Sequence, residues 1–192
     1  MNEDLLRSIT KGVFEAFASI NAANNVSAGN AANNVKREDK NMSRRSITLG
    51  TWDGKPIEWI VLYENDFDML VISKISIGKN KYSIFSNSNW ASSDMRYYLN
   101  SNFYKNNFSE DEKKKIVNIY LNDTRTKDNI FLISKSESDN YLSSDEVRER
   151  GYWCIRTPYD STNIMRHYSN GSWGWNDSSA GYETYPAMWI KK

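Results

Sequence analysis

Short apolar runs separated by turn residues stand at both ends of residues 46–192, and helix signals lie between them. A chain that orders strands, then helices, then strands has few folds open to it, because each strand block must bury its apolar face against another element. This order predicts an α+β domain whose antiparallel sheet joins the two ends, and it argues against a doubly wound parallel sheet.

The first strand block contains a hairpin signature. The apolar runs 47–52 and 57–63 flank Asp53-Gly54, and a DG pair between two such runs predicts two strands joined by a tight turn. Residues 69–74 predict a third strand, and the similar phrase at residues 130–135 is interpreted as another strand-like run.

The second strand block lies near the C-terminus. Residues 152–156 and 187–190 predict strands, and a hairpin between them is predicted to turn at Ser169–Gly171. Side chains alternate along the first hairpin strand, so one face carries Ile164, Arg166 and Tyr168 and the other carries Asn163, Met165 and His167. The alternation does not indicate which of the two faces is buried.

Three short helices are predicted between the blocks. One begins near Trp90, where Ser and Asp side chains are available as caps. Ser109 with Glu112, and Ser143 with Glu146, have the spacing of a capping box, which predicts a helix after each pair. The lysines at 113–115 follow three acidic residues, so they are interpreted as a solvated helix face.

The N-terminal region differs from the rest of the chain in its composition and hydrophobic pattern. Residues 1–20 predict an amphipathic helix, since apolar side chains from Leu5 to Ile20 recur every three or four positions. Residues 21–45 are Asn- and Ala-rich and predict a linker, followed by the domain at 46–192. Residues 3–20 are interpreted as a tether, an oligomerisation element or a docking segment for a larger assembly.

Charge and hydropathy exclude several partner classes. The 25 Lys and Arg balance 24 Asp and Glu, so the electrostatic footprint of nucleic-acid binding is missing. No stretch is long enough for a transmembrane helix, and the acidic start lacks the pattern of a secretory signal. If the protein works outside a cell, it is expected to get there by a route other than an N-terminal signal.

Catalytic chemistry has little support in the sequence. Cys154 is the single cysteine and His167 the single histidine, so neither a disulfide nor a multi-cysteine or His-rich metal site is expected. Cys154 lies in an apolar run and is interpreted as a packed thiol rather than a nucleophile. We expect no cofactor and no metal.

The segment from Thr157 to Tyr182 carries the functional prediction. It contains five Ser, three Asn, three Tyr and two Trp, and it lacks Lys and Glu, which is typical of a binding surface built from aromatic anchors and adaptable polar groups. The same residues are also ordinary loop formers, and the Trp side chains are alternatively core. Candidate ligand contacts are Tyr159, Asp160, Asn163, Met165, His167, Tyr168, Asn170, Trp173, Trp175, Asn176, Asp177, Tyr182 and Tyr185.

Several motifs together resemble a known family. Residues 47–62, 90–96, 153–156 and 186–190 follow, in order, the pattern of a bacterial and phage domain family of unassigned function, over roughly residues 46–190. The resemblance implies a C-type-lectin-like fold, in the branch similar to the formylglycine-generating-enzyme domain and to the variable proteins of diversity-generating retroelements. A working formylglycine-generating site needs two reactive cysteines, and this chain has one.

The chain departs from that family at two places. Cys154-Ile155 stands where the family usually has Trp-Leu, and Tyr185 stands where it usually has Arg, so no role of that arginine is carried over. The resemblance also implies a changeable binding face near the C-terminus. A bacterial and phage family is compatible with a place on a phage virion, or on a bacterial surface reached by a signal-independent route.

The expected function is non-enzymatic recognition of a protein or a glycan, with self-association or docking through residues 3–20. The alternative is an enzyme that uses Cys154 or a carboxylate pair drawn from the acidic residues at 66, 68, 94, 123, 128, 139, 145 and 146. A structural component of a virion or a secretion system is a third reading, in which the N-terminal helix is the functional end.

Overall fold

The computed structural model describes residues 44–192, which form one compact unit of strands and short helices. The predicted helix at 1–20 and most of the predicted linker at 21–45 lie outside these residues. Residues 44–192 contain twelve strands: β1 Ser46–Trp52, β2 Lys55–Glu64, β3 Asp68–Ser73, β4 Lys79–Lys81, β5 Ile116–Val117, β6 Ile119–Leu121, β7 Thr126–Asp128, β8 Trp153–Pro158, β9 Asn163–His167, β10 Trp173–Asp177, β11 Gly181–Glu183 and β12 Ala187–Lys191.

The first sheet joins the two strand blocks, as the sequence predicted. Its strand order is β1-β2-β3-β12-β5, and every pair in it is antiparallel. The β1–β2 turn is the predicted Asp53-Gly54 pair, and both residues have a positive φ, 52° and 71°, as the tightest hairpin turn requires. The α+β class is therefore confirmed.

The second sheet contains the C-terminal hairpin. Its order is β10-β9-β8-β11-β4, and the contact between β11 and β8 is parallel. The hairpin strands β9 and β10 pair in register, with His167 opposite Trp173 and Asn163 opposite Asp177. A separate small hairpin, β6–β7, carries Asn122–Arg125 in its loop.

The helices lie between β4 and β8 in the chain. They are α1 Asp94–Tyr98, a π-helical turn Leu99–Phe103, α2 Tyr104–Asn107, α3 Glu110–Lys115, α4 Lys135–Tyr141 and α5 Ser144–Glu149, preceded by a 3₁₀ turn at Trp90–Ser92. The two predicted capping boxes, Ser109 with Glu112 and Ser143 with Glu146, are both formed and start α3 and α5. The first predicted helix is also present.

One segment differs from its prediction. Residues 130–135 were expected to be strand-like, but Phe131 makes only an isolated bridge to Ala187, and α4 begins at Lys135. The reason is a third capping box, in which the hydroxyl of Ser134 accepts from the amide of Glu137 and the carboxylate of Glu137 accepts from the amide of Ser134. The apolar residues 130–133 are fully buried, so their uniform hydrophobicity reflects the core rather than a strand.

The core lies between the first sheet, the helices and β8. It is rich in aromatic side chains, and the largest that are completely buried are Trp59, Trp90, Trp153, Tyr82, Phe103 and Phe131. The carboxylate of Asp128 is also inside, and it accepts hydrogen bonds from Trp90 Nε1 at 2.8 Å and Arg96 Nε at 2.7 Å. Because these donors satisfy the buried carboxylate, Asp128 is part of the scaffold.

Candidate functional site

The hairpin β9–β10 presents two different faces, because neighbouring side chains in a strand point to opposite sides. Met165 pairs with Trp175 on one face, and Arg166 pairs with Gly174 on the other. Trp173 and Trp175 share the first face, yet they do not share an environment. Trp173 packs against the core, whereas Trp175 is 51% exposed.

His167 is buried beneath this face of the hairpin, where it contacts neighbouring strands and helix α4. Its ring lies between Trp153, at 4.9 Å between centroids, and Trp173, at 3.7 Å. Nε2 is 2.9 Å from the hydroxyl oxygen of Ser138 on α4, while Nδ1 has no partner among the described residues. Burial lowers the pKa of His167 to about 4, so the ring is neutral at physiological pH.

Tyr159 and Trp175 form an exposed pair that we call the aromatic ledge. Their rings are nearly parallel, with centroids 5.0 Å apart and an interplanar angle of 10°. Tyr159 is 55% exposed, comparable with Trp175. Each ring restricts the motion of the other, so the ledge offers apolar area to a ligand with little further loss of side-chain entropy.

Asp160 shapes the loop beside the ledge. Its Oδ1 accepts from the amides of Thr162 and Asn163, each at 2.8 Å, and its Oδ2 accepts from Asn163 Nδ2 at 2.8 Å. These donors, with the Asn163 side chain first, lower the pKa of Asp160 to about 2 although the carboxylate is exposed. The negative charge is therefore present at all physiological pH values, and the loop is held in one conformation.

A second loop, residues 83–89, lies against the same region. The Ser88 hydroxyl donates to the carbonyl of Asp160, and the Ser88 amide donates to the Ser161 carbonyl at 3.2 Å. Two residues earlier in the loop, Ser86 Oγ donates to Asp177 Oδ1 at 2.9 Å. Phe85, next to Ser86, is 83% exposed. An unpacked aromatic side chain at a pinned loop is a typical contact residue for a partner.

Two adjoining depressions open next to the ledge, and we call them together the polar cleft. Their volumes are about 430 Å³ and about 570 Å³, and both are lined by Asp123, Thr124 and Pro158. Tyr159 stands at the first depression, while Lys135 and Asp139 of α4 line the second. The cleft offers hydroxyls, carboxylates and an ammonium group beside an aromatic ring, which suits a ligand with many hydrogen-bonding groups.

The buried Arg156 supports the cleft from below. Its Nε donates to Asp123 Oδ2 at 2.9 Å, and its Nη1 donates to Glu137 Oε2 at 2.6 Å and to the Leu132 carbonyl at 2.7 Å. These carboxylates raise the pKa of Arg156 against the opposing effect of burial. The loop of Asp123 and the start of α4 are thereby joined to β8.

The predicted contact residues occupy different environments. Three of them are buried, namely His167, Tyr182 and Tyr185, and are not accessible to a ligand in this structure. Tyr182 donates from its hydroxyl to the Asp177 carbonyl at 2.7 Å, and Tyr185 donates to the Arg150 carbonyl at 3.3 Å. Exposed or half-buried are Tyr159, Asp160, Asn163, Met165, Tyr168, Asn170, Trp173, Trp175, Asn176 and Asp177.

Other residues of this region were absent from the predicted ligand contacts. They are Ile84 and Phe85 on the loop 83–89, and Asp123, Thr124, Lys135 and Asp139 around the polar cleft. Of these, Asp123 and Asp139 were named only as acidic candidates for the enzyme alternative. The two apolar residues inside the polar stretch 83–89 were a usable signal, since an apolar pair in a loop is unusual. The cleft residues carried none, because tertiary packing alone brings the β6–β7 loop to α4.

The enzymatic alternatives meet several obstacles in the geometry. Cys154 is completely buried, and burial raises the pKa of its thiol to about 12, so thiolate is negligible at neutral pH. Two carboxylates do line one depression, but Asp123 is paired with Arg156 and Asp139 with Lys135. A glycosidase-type pair needs two carboxyl groups that are free to act on the substrate, and each of these two already contacts a cation of the domain.

Neither a metal centre nor a membrane span is found in the described part of the chain. Within residues 44–192, no three His, Cys, Asp or Glu side chains are grouped closely enough to hold a metal ion. Over the same residues, the helices are too short or too polar to cross a bilayer.

Comparison with known proteins gives one match. Residues 66–192 match a family described as a domain of unknown function, DUF6273. Among the curated proteins and the solved structures, none matches the chain significantly.

Proposed function

The chain belongs to the DUF6273 family, and we propose that its domain is a non-enzymatic recognition module that binds a protein or a glycan. The binding surface consists of the aromatic ledge, the polar cleft and the loop 83–89. The stacking of Tyr159 on Trp175 is the observation that carries this proposal. Two large aromatic rings that pack on each other and stay half exposed are anchors without a partner in the described part of the chain.

The neighbourhood of the ledge supports this assignment. Asp160 and Asp177 hold their loops through hydrogen bonds to backbone amides or hydroxyls, so the polar rim of the surface is ordered before a ligand arrives. Preorganisation of this kind lowers the entropic cost of binding. The buried residues His167, Tyr182 and Tyr185 contribute by holding the strands beneath the surface.

We further propose that the fold is C-type-lectin-like. The proposal is supported by the pairing of the last strand, β12, with β3 of the N-terminal block, and by a second sheet that carries loops at its edge. The Tyr, Ser, Asn and Asp content of residues 157–182 fits diversification of adenine-containing codons in a retroelement. A reverse-transcriptase gene and a near-identical template repeat beside this gene would support that link. A locus with neither of them would remove it.

The binding experiment uses paired variants. A ligand is first selected from a glycan array and a displayed peptide library, and its affinity is then measured for Tyr159→Ala, Trp175→Ala and the double variant. We expect each single change to weaken binding by more than about tenfold, because central aromatic anchors carry most of the binding energy. Phe67→Ala is the matched control, since Phe67 is 78% exposed in the β2–β3 connection, outside the proposed surface.

Two outcomes would contradict the proposal. If the double variant keeps its fold and binds the selected ligand unchanged, the ledge is not the binding surface. If Asp123→Asn or Asp139→Asn abolished a measured hydrolytic activity on glycosides, the carboxylate-pair enzyme would replace the recognition module as the proposed function.

The third reading is a structural component of a virion or a secretion system. It predicts that deletion of residues 1–45 lowers the mass of the assembly measured by light scattering.

A further inference from the structure

Arg166 lies on the face of the hairpin opposite to the aromatic ledge and is held by two tyrosine rings. Its guanidinium carbon is 4.5 Å from the ring centroid of Tyr168 and 5.2 Å from that of Tyr152. The two rings meet edge to face, with centroids 5.6 Å apart and an interplanar angle of 82°. The arginine therefore has a restricted geometry on a surface where Tyr152 remains half exposed.

The neighbouring strand makes room for this arrangement. Gly174 pairs with Arg166 across the hairpin, and a Cβ atom at Gly174 would lie 2.0 Å from a ring carbon of Tyr168. Any other residue at this position would displace the Tyr168 ring from beside the guanidinium. The absence of a side chain at Gly174 is thus a requirement of the clamp formed by Tyr152, Arg166 and Tyr168.

The clamped guanidinium has no anionic partner within residues 44–192. No hydrogen bond or ion pair is formed there by Arg166, and its Nε is buried without an acceptor. Two other arginines of the domain have carboxylate partners, since Arg96 is paired with Asp128 and Arg156 with Asp123 and Glu137. The Nε of Arg150 also lacks an acceptor within the described residues, but its Nη1 donates to the Glu146 carbonyl at 2.6 Å. Because Nε is buried, a partner's carboxylate would reach the terminal Nη1 and Nη2 groups of the half-buried Arg166, which also form no hydrogen bond within the described residues.

We propose that the clamp of Tyr152, Arg166 and Tyr168 is a carboxylate-binding site for an acidic side chain of a protein partner. The planar guanidinium presents its donors as a fork that matches the two oxygens of a carboxylate. Tyrosine and arginine are also the residues most enriched in the energetic centres of protein interfaces. This site is separate from the proposed ledge surface and does not depend on it, because its residues point to the other side of β9.

The test follows the Nε–Hε resonances of the arginines in the ¹⁵N-labelled full chain. The probes are N-acetyl-aspartate amide, its neutral analogue N-acetyl-asparagine amide, and N-acetylneuraminic acid, all at constant ionic strength. Arg166→Lys and Arg125→Lys identify the two resonances that are compared. Arg125 is the comparison residue, since it is exposed and forms no ion pair within the described residues. Because Arg125 lines the first depression of the polar cleft, a saturable shift of its resonance would report binding there instead of at the clamp.

The expected result is a saturable shift of the Arg166 resonance with the aspartate probe alone, while Arg125 shows at most a small linear change. The Arg166→Lys variant has no Arg166 resonance, so its binding is followed through the backbone amide resonance of Gly174. We expect this variant to bind the aspartate probe about tenfold more weakly than the parent, because one charge-assisted hydrogen bond of the fork is lost. Absence of a saturable shift would overturn the site. Saturation by N-acetylneuraminic acid at lower concentration than by the aspartate probe would overturn its assignment to a protein partner.

Discussion

Nη1 of Arg156 donates to Oε2 of Glu137 over 2.6 Å, and this contact joins strand β8 to the first turn of helix α4. The same Glu137 carboxylate completes the capping box with Ser134. One acidic residue therefore starts a helix and neutralises a buried cation. Because α4 lines the polar cleft, the position of that wall depends on the pair.

Removal of this carboxylate should destabilise the domain. We expect Glu137→Ala to lower the free energy of unfolding by about 3 kcal/mol, because a buried guanidinium loses one of its charged partners. Urea denaturation followed by tryptophan fluorescence measures the change. Glu149→Ala on α5 is the control, since Glu149 is exposed and the structure gives it no ion pair within residues 44–192. An equal effect of both substitutions would contradict the assigned role.

The folding stability of the domain should decrease as the pH is lowered, because His167 is neutral in the folded state. The folded state holds the ring neutral with a pKa of about 4, whereas the unfolded chain binds a proton below its ordinary pKa of about 6.5. The contribution is thus fully present above pH 6.5 and is lost as the pH falls toward 4. Between about pH 7.5 and pH 5 the loss amounts to about 2 kcal/mol.

The variant His167→Gln isolates this contribution. We expect it to be less stable than the parent at neutral pH, because the ring between Trp153 and Trp173 is lost. Its stability should nevertheless change less between the two pH values, while carboxylates titrate equally in both proteins. Asp139, which favours the charged ring, and Lys135 and Arg150, which oppose it, remain in both. Parallel pH profiles would show that His167 does not titrate as described.

A methyl group at Gly174 should disturb the Tyr168 ring. We expect Gly174→Ala to cost about 1–3 kcal/mol of unfolding free energy, because the added atom overlaps the ring and forces it to move. Thermal or urea unfolding measures the loss. The matched change Gly181→Ala in β11 meets only Lys79 Cβ at 3.9 Å and should cost less. A Gly174→Ala variant as stable as the Gly181→Ala variant would refute the tight contact.

The thiol of Cys154 should be inert in the native protein. Burial and a pKa of about 12 leave almost no accessible thiolate, so reaction with a disulfide reagent should require unfolding. We expect one thiol per chain to react promptly in urea and very slowly without it, as measured by absorbance of the released thiolate. Fast modification of the folded protein would reopen the nucleophile alternative.

Much of the fold was predictable because its signals are local. The Asp53-Gly54 turn, the capping boxes at Ser109 and Ser143 and the C-terminal strand are patterns in which each residue acts on near neighbours in the chain. The capping box at Ser134 is equally local, yet the fully apolar run before it concealed the helix start. Runs that are buried on all sides have no periodicity to read.

The candidate surface was predictable only in part. Composition pointed to residues 157–182, and Tyr159 and Trp175 in that segment are indeed exposed. Composition did not separate them from Tyr182 and His167, which have the same residue chemistry but are buried. Which aromatic ring is displayed depends on what packs against each face of the strand, and α4 covers His167 but leaves Trp175 open.

The sequence by itself determined the α+β order, the turn and cap positions, and the membership of the chain in a family of unknown function, because these depend on short-range patterns and on resemblance. Only the tertiary structure decided that Asp123 meets Arg156 across 33 positions, that Tyr159 stacks on Trp175, and that Arg166 stands between two tyrosines without an anion. Such contacts join residues from different elements. They follow from how sheets and helices pack, and no local pattern encodes that packing.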